Sequence, residues 1–286
     1  MRDGFQFEPQ PIPTEKKLAT LQGLLQAGVR RIQVTSFVHP KWVPQMADAE
    51  AMCAALPEGD FVFTGLALNL KGVERAHTAG LQHVDLSIST NDQHSRDNAN
   101  LTREDAVTQA IRMLEASADR GLQAQMGLQC VFGYQNPGDT PLETVLSLAE
   151  TFAPYQPESF SLADSTGMAN PEQIRTVVTA VQEVLGTIPI VLHLHDTRGL
   201  GLANVLAALS CGVSHFDASL GGLGGCPFIP GATGNIATED VVYMLEEMGL
   251  DTGISWQGVA KLAQDISAFL EKPLPGKLHR LPGAEA

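Results

Sequence analysis

The chain has 286 residues, 44% of them hydrophobic and 17% charged, which is typical of a globular protein large enough to bury an extensive core. Its formal net charge of −14 argues against nucleic acid or an anionic membrane as a partner, although an acidic protein can bind an anionic metabolite through local cations. The sequence has no recognisable secretory or transit leader, no apolar run of the roughly 18 residues that cross a bilayer, and no C-x-x-C pair. We therefore expect a cytoplasmic protein without a disulfide framework or a structural zinc site.

A unit of helix followed by strand recurs along the chain. In four stretches a helix-like pattern ends at a glycine, and a hydrophobic residue and a strand-like run follow; the glycines are Gly28, Gly80, Gly121 and Gly212. The predicted strands cover residues 30–37, 61–68, 83–89, 123–132, 159–165, 190–196 and 215–222. Apolar strands that alternate with helices indicate a parallel sheet covered by helices.

Capping side chains mark several predicted helix starts. Thr140–Glu143 and Asn170–Gln173 have the pattern of capping boxes with proline at the first helical position. Thr14, Thr102 and Thr238 are candidate caps of the helices that follow them.

The spacing of these units fits a (β/α)8 barrel, whose usual length is about 250 residues. A doubly wound sheet is the alternative, but the glycine motif that usually follows its first strand is missing. We treat residues 1–286 as a single domain with a C-terminal helix and tail from about residue 255. Because the pattern provides one strand too few for a closed barrel, we expect the first strand to precede Arg2 and the natural protein to start upstream of Met1.

Polar residues stand at the carboxyl ends of predicted strands, where barrel enzymes have their active sites. They are Gln33, Ser36, Ser161, Asp164, His193, His195 and Asp196. His193 and His195 alternate within one strand, so both imidazoles face the same side and can hold a divalent metal ion. Two ordinary structural histidines are the alternative, and Asp164 or Asp196 can equally cap the segment that follows.

The last predicted strand leads into the glycine-rich stretch GGLGGCPFIPGATGN, residues 221–235. Such a loop can close over an active site, or it can be a simple turn. Cys226 lies within it, either as an exposed, reactive thiol or as an inert small hydrophobic residue.

Longer stretches of the chain resemble one enzyme family. They are RDGFQFEP at residues 2–9, TSFVHPKWVPQMAD at 35–48, and HLHDTRGLGLANVLAAL and GLGGCPFIPGATGNIATEDVVYMLEEMGLDTG between 193 and 253. These motifs are similar to those of 3-hydroxy-3-methylglutaryl-CoA lyase, one of the metal-dependent lyase and aldolase barrels related to isopropylmalate synthase. The resemblance covers nearly the whole chain, and the GLGGCP and PKWVPQM segments are typical of the lyase branch.

The resemblance implies a role for each matching residue. The ligands of Mg²⁺ or Mn²⁺ would be Asp3, His193, His195 and Asn235. Arg2 would stabilise an enolate oxygen, Asp3 or His193 would act as the base, and Cys226 would transfer a proton. The substrate-binding residues would be Gln6, Gln33, Ser36, Ser161 and Asp164, and Lys41 would be a candidate contact of the CoA phosphates or a solvated lysine.

The implied reaction is the cleavage of an acyl-CoA, 3-hydroxy-3-methylglutaryl-CoA, to acetyl-CoA and acetoacetate, a step of leucine catabolism. The metal would acidify the tertiary hydroxyl of the substrate. The resemblance also implies a homodimer.

The sequence departs from the family pattern at substrate-facing positions. Gln33 stands where the family has glutamate, and GYQNPGD at residues 133–139 and STNDQHSRDN at 89–98 also differ. A related substrate such as citramalyl-CoA or a longer branched hydroxyglutaryl-CoA is therefore an alternative. Two further alternatives are a condensing synthase of the same barrel group and a catalytically silent relative that binds metal or CoA.

Overall fold

The computed structural model describes residues 1–225 and 234–281 of the chain. Its parallel strands form one sheet, and their spatial order follows their order along the chain. The strands are β1 Arg31–Ser36, β2 Val62–Ala67, β3 His83–Ser89, β4 Gln123–Gln129, β5 Ser159–Ala163, β6 Ile190–His193 and β7 His215–Asp217. Each strand lies within the range predicted from the sequence.

Helices precede, separate and follow the strands. They are α1 Arg2–Gln6, α2 Thr14–Gln26, α3 Ala49–Ala54, α4 Leu70–Thr78, α5 Asp92–Ala99, α6 Arg103–Asp119, α7 Leu142–Phe152, α8 Pro171–Leu185, α9 Gly201–Ser210, α10 Thr238–Glu247 and α11 Trp256–Phe269. Most of the segment 89–98, which departs from the family pattern, belongs to α5, and Asn91 caps this helix by accepting a hydrogen bond from the backbone N–H of His94. None of the described helices is both long and apolar enough to cross a membrane.

The sheet curls, so that inward side chains of separated strands meet. Gln33 on β1 donates a hydrogen bond to Asp85 on β3, across the intervening strand β2. Among the described residues the sheet has seven strands, with β1 and β7 as its edges. The prediction of a (β/α)8 barrel in which the first strand is missing is therefore confirmed.

Helix α1 lies between the two edges of the sheet. Its Arg2 side chain reaches Gln33 on β1. On its other side, a Cβ atom at Gly4 would lie 3.1 Å from the Cβ atom of Leu223, so the helix approaches the segment after β7 closely. Phe5, 1% exposed, buries its ring in the smaller of two hydrophobic cores, where α2 and α11 pack against β1. These contacts fix the position of the residues next to it on α1.

The four glycines predicted to end helices have the expected left-handed backbone. The φ angles of Gly28, Gly80, Gly121 and Gly212 are 98°, 86°, 70° and 84°. At Gly28 a close approach adds a second requirement, because a Cβ atom there would lie 2.1 Å from the carbonyl oxygen of Gly253.

Two of the predicted helix caps are confirmed. Asn170 and Gln173 form a full capping box at the start of α8. Thr102 accepts a hydrogen bond of 3.0 Å from the backbone N–H of Asp105 at the start of α6.

The other predicted caps are wrong, because these threonines do not accept hydrogen bonds from helix N–H groups. The hydroxyl of Thr140 instead donates to the carbonyl of Cys130, and the hydroxyl of Thr14 donates to Asp48. Thr14 and Thr238 are already the first helical residues, one position too late to act as caps.

Candidate active site

Ligating side chains of β6 and helix α1 converge at the carboxyl end of the sheet. His193 is the last residue of β6, His195 follows it, and Asp3 lies on α1. One ligating atom of each lies within 4.8 Å of the others. The Nε2 atoms of the two histidines are 3.3 Å apart, and the Nε2 atom of His193 is 4.0 Å from Oδ2 of Asp3. The three groups therefore surround a common point.

Asn235 brings an amide group to the same place. Its Nδ2 atom donates a hydrogen bond of 2.6 Å to Oδ2 of Asp3. Its Oδ1 atom is buried and has no hydrogen-bond partner among the described residues. A buried oxygen without a donor is costly unless a cation or water meets it. Together with the carboxylate and the imidazoles, this oxygen fits the oxygen and nitrogen donor set of Mg²⁺ or Mn²⁺.

The charges around this cluster keep Asp3 ionised and His195 neutral. Burial opposes ionisation of Asp3, but the charges of Arg2 and His193 and the hydrogen bond from Asn235 favour the carboxylate, and the pKa of this carboxyl lies well below its usual range. Burial, together with the charge of His193, lowers the pKa of His195 to about 4. A carboxylate and a neutral imidazole are the protonation states that bind a metal ion.

Asp217, at the end of β7, orients His193. Its Oδ2 atom lies 3.2 Å from Nδ1 of His193, which leaves Nε2 free to face the cluster. Burial opposes the charged imidazolium, but this hydrogen bond and the charges of Asp3 and Asp217 raise the pKa of His193.

Arg2 lies beside the cluster and is held from two sides. Its Nη1 atom donates to Oδ1 of Asp3 at 2.7 Å, and its Nε atom donates to Oε1 of Gln33 at 2.5 Å. Gln6, one turn along α1, also donates to Oδ1 of Asp3 at 2.8 Å. Arg2 is 9% exposed, so it offers a largely buried positive charge beside the cluster.

A cavity of about 720 Å³ opens onto these groups. Its polar lining includes Arg2, Asp3, Gln6, Gln33, Ser161, His193 and His195. Its apolar lining includes Val38, Trp42, Leu66, Leu68 and Leu101. A large cavity lined by both polar and apolar side chains suits a substrate that has charged and apolar groups.

Two predicted substrate-binding residues lie outside this lining. Ser36 is completely buried at the end of β1. Asp164 accepts hydrogen bonds from the backbone N–H groups of Met168 and Ala169, and burial raises its pKa to about 6. In the described residues Asp164 therefore caps the segment after β5.

The remaining predicted residues have diverse positions. Asp196 accepts a hydrogen bond of 2.8 Å from the N–H of Gly201 at the start of α9. This contact agrees with the alternative that Asp196 caps the segment that follows it. Lys41 is exposed. Cys226 lies outside the described residues.

Two carboxylates that contact the site residues were missing from the sequence-based predictions: Asp217 and Asp85. Asp217 ends a strand at the carboxyl edge, which is the same signal that indicated His193. Asp85 stands between the apolar residues Val84 and Leu86 on β3, and an acidic residue in a buried strand is itself a signal of an internal polar partner.

Residues 1–266 match the family model described as HMGL-like. The chain belongs to this family. The predicted resemblance to the hydroxymethylglutaryl-CoA lyases and the assignment to the oxo-acid lyases are thereby confirmed.

Relatives with named activities cover nearly the full chain. A hydroxymethylglutaryl-CoA lyase of Bacillus subtilis is 37% identical over 277 residues, which cover 96% of this chain and 93% of the relative. An (R)-citramalyl-CoA lyase of Chloroflexus aurantiacus is 36% identical over 285 residues, which cover 96% of this chain and 90% of the relative. The solved structure of an HMG-CoA lyase from Acinetobacter baumannii, in complex with coenzyme A and 3-methylmalate, matches with a TM-score of 0.92 at 37% identity, covering 98% of this chain and 92% of that one.

Proposed function

We propose that this protein cleaves 3-hydroxy-3-methylglutaryl-CoA to acetyl-CoA and acetoacetate with the help of a divalent cation. The observation that carries the proposal is the convergence of Asp3, His193 and His195 beside the buried Arg2 in one large cavity. Membership of the HMGL-like family supports the reaction type.

Asp3, His193, His195 and Asn235 would hold Mg²⁺ or Mn²⁺, and the bound ion would acidify the tertiary hydroxyl of the substrate. The donor set and the unpartnered Oδ1 atom of Asn235 support this assignment.

The hydroxyl proton passes to Asp3 or to His193. Asp3 has two oxygens, so one can accept a proton while the other serves as a ligand. The Nδ1 atom of His193 is occupied by Asp217, so its Nε2 atom can act as a ligand or as a base, but not as both at once. Because Nε2 of His193 would hold the ion in this scheme, Asp3 is the better placed of the two to accept the proton.

When the carbon–carbon bond breaks, its electrons move into the thioester as an enolate, and acetoacetate is released. Arg2 donates hydrogen bonds to the enolate oxygen and so stabilises the charge that develops in the transition state. The Cys226 thiol would return a proton to the enolate carbon to give acetyl-CoA. We expect Cys226→Ser to lower kcat more than it raises KM.

Citramalyl-CoA is the second candidate substrate, with pyruvate and acetyl-CoA as products. It is favoured by the Chloroflexus relative that acts on citramalyl-CoA, which is 36% identical to this chain. Gln33 at the edge of the cavity is a candidate for the difference between the two substrates.

The test is to incubate the protein with each acyl-CoA and Mg²⁺ or Mn²⁺, with and without EDTA, and to measure acetyl-CoA. Metal-dependent release from 3-hydroxy-3-methylglutaryl-CoA supports the main proposal, and release from citramalyl-CoA alone supports the second candidate. If the protein releases acetyl-CoA from neither substrate, both proposals are wrong and a silent relative becomes the better account.

We also propose that the protein is a cytoplasmic homodimer, as the resemblance implies. Light scattering on the purified protein tests the dimer.

A further inference from the structure

A chain of hydrogen bonds links the active site to a carboxylate in the middle of the sheet. Arg2 donates from Nε to the Gln33 carbonyl oxygen, and the Gln33 amide nitrogen donates to Oδ2 of Asp85. The hydroxyl of Thr64 donates to the same oxygen. These hydrogen bonds therefore connect α1 through β1 to β3, and Thr64 on β2 adds one more hydrogen bond to Asp85.

The polarity of this chain fixes the Gln33 amide in one orientation. The guanidinium of Arg2 only donates hydrogen bonds, and an ionised Asp85 only accepts them. If the amide were reversed, its NH₂ group would face the guanidinium and its oxygen would face the carboxylate, and both contacts would be repulsive. Asp85 thus holds the Gln33 amide in the orientation whose oxygen faces Arg2.

Asp85 is well placed to be a rigid anchor. It is 5% exposed and lies in the middle of β3, which is paired with strands on both sides. The guanidinium of Arg31, 3.9 Å from Oδ1, supplies a nearby positive charge. Burial raises the pKa of Asp85, but the hydrogen bonds from Thr64 and Gln33 favour its ionised form.

Arg2 needs this second support because its other partner is shared. Asp3 accepts from Arg2, and it also belongs to the candidate metal cluster. When Asp3 binds a cation, less of its negative charge is available to Arg2. The Gln33 contact does not involve the cluster, so it can hold Arg2 in the same place whether or not a cation is bound.

We propose that Asp85 is a positioning residue, which holds the Arg2 guanidinium in place for the enolate oxygen by fixing the Gln33 amide. This inference rests on the proposed function, in which Arg2 stabilises the enolate. Asp85 itself contacts neither substrate nor cation in this scheme.

The test is a double-mutant cycle between Asp85 and Gln33. Asp85→Leu removes the acceptor with little change in volume, and we expect kcat on the better of the two substrates to fall about tenfold to a hundredfold, because misplaced catalytic groups cost factors of this size. KM should change by less than about twofold, because the contact acts on charge that develops in the transition state. Asp85→Asn keeps an acceptor oxygen for Gln33 and should retain most of the activity.

The double variant separates positioning from a merely structural role. If Asp85 acts through Gln33, kcat of Gln33→Ala/Asp85→Leu should equal that of Gln33→Ala within about twofold. Asp240→Asn is the matched control, because Asp240 is 7% exposed but binds the backbone N–H groups of Lys277 and Leu278 instead. It should lower the melting temperature without changing kcat.

A measurement without substrate keeps this inference separate from the proposed function. In ¹⁵N NMR spectra the Nε–H signal of Arg2 should exchange slowly with water in wild type and Asp85→Asn, and rapidly in Asp85→Leu. If Asp85→Leu does not fold, Asp85→Ser replaces it.

The positioning role would be wrong, even for an active enzyme, if the two substitutions lowered kcat independently and additively. It would also be wrong if the Arg2 Nε–H signal exchanged as slowly in Asp85→Leu, or in its replacement Asp85→Ser, as in wild type. If wild type cleaves neither acyl-CoA, the proposed function fails, and the NMR measurement still decides whether Asp85 holds Arg2.

Discussion

At the scale of single residues, His193 controls how the candidate metal site responds to pH. The pKa of Asp3 is held well below its usual range and that of His195 is about 4, so neither group titrates near neutral pH. The pKa of His193 is raised, so this imidazole is the proposed ligand that would have to lose a proton before a cation binds.

We therefore predict that Mn²⁺ affinity falls as the pH is lowered through the raised pKa of His193. The decrease should approach about tenfold per pH unit, because one proton competes with one ion, and it should begin above the usual histidine value of about 6.5. The free energy of unfolding of the metal-free protein should depend on pH in the opposite direction. The protonated His193, paired with Asp217, stabilises the fold at pH values below the pKa of an unfolded histidine, and this stabilisation is lost as the pH rises through the pKa of His193 in the folded protein.

Isothermal titration calorimetry between pH 6 and 8, roughly the range in which histidine titrates, measures this dependence. Asp217→Asn removes the group that raises the pKa, so its affinity curve should shift to lower pH. A wild-type affinity that is flat over this range would contradict the assignment of His193 as a ligand.

A second residue-scale prediction concerns the ligands themselves. His193→Ala and His195→Ala should each abolish tight Mn²⁺ binding and leave the fold intact, because both side chains lie at the carboxyl end of the sheet rather than in a hydrophobic core. Elemental analysis and circular dichroism provide the measurement. His215→Ala, which removes an exposed histidine of β7, is the control and should bind metal normally. Unchanged metal content in both ligand variants would rule out this site.

Some of the candidate site residues could be predicted from the sequence more directly than others. His193 and His195 could be paired from strand alternation alone, because a period of two puts both on one face. Asp3 has no comparable local signal, since the short helix α1 that holds it depends on contacts with β1 and with Leu223. Its role could be predicted only from the family resemblance. The contact between Asp85 and Gln33 depends on the curl of the sheet, which brings β1 and β3 together across β2.

At the scale of helices and strands, backbone signals were more reliable than side-chain signals. The glycines that end helices were predicted correctly because a left-handed backbone is a local property of glycine. Caps were predicted less well because a threonine hydroxyl has alternative partners. The hydroxyl of Thr140 donates to the carbonyl of Cys130 instead. The sequence could not reveal this hydrogen bond, because the two segments meet only in the folded chain.

The caps provide a matched prediction about stability. Asn170→Ala removes the two hydrogen bonds that the Asn170 side chain accepts at the start of α8 and should destabilise the protein by about 1 kcal/mol. Thr238→Ala, at a helix start where no side-chain cap is formed, should have less than about half this effect. Urea unfolding followed by circular dichroism measures both. Equal losses would mean that α8 is not stabilised by its capping box.

At the scale of the whole molecule, the candidate metal site joins distant parts of the chain. Asp3 and Asn235, which share a hydrogen bond, are 232 residues apart in sequence. His193 ends β6 and His195 lies just beyond it, so the cluster links helix α1 to the strand next to the β7 edge of the sheet. Among the described residues no strand pairs β7 with β1, and α1 lies between these edges. A cation at this point would therefore tie helix α1, which contacts β1 through Arg2 and Gln33, to the segments that follow β6 and β7.

We predict that metal binding stabilises the molecule, and that the effect is largest at α1. A cation that binds only the folded state, at about a hundred times its dissociation constant, adds about 2.7 kcal/mol to the free energy of unfolding. Because Asp3 would be a ligand on a helix of 5 residues, the backbone amides of α1 should gain more protection from hydrogen exchange than those of β4, which lies in the middle of the sheet. Exchange measured by mass spectrometry with Mn²⁺ and with EDTA tests this.

The control for this experiment is His195→Ala, in which Mn²⁺ should protect neither segment, because the variant retains Asp3 but lacks one of the clustered imidazoles. Protection of α1 by Mn²⁺ in this variant would mean that the ion binds elsewhere. Equal protection of α1 and β4 in wild type would mean that the cation stabilises the fold as a whole, and that Asp3 does not link helix α1 to the histidines of β6.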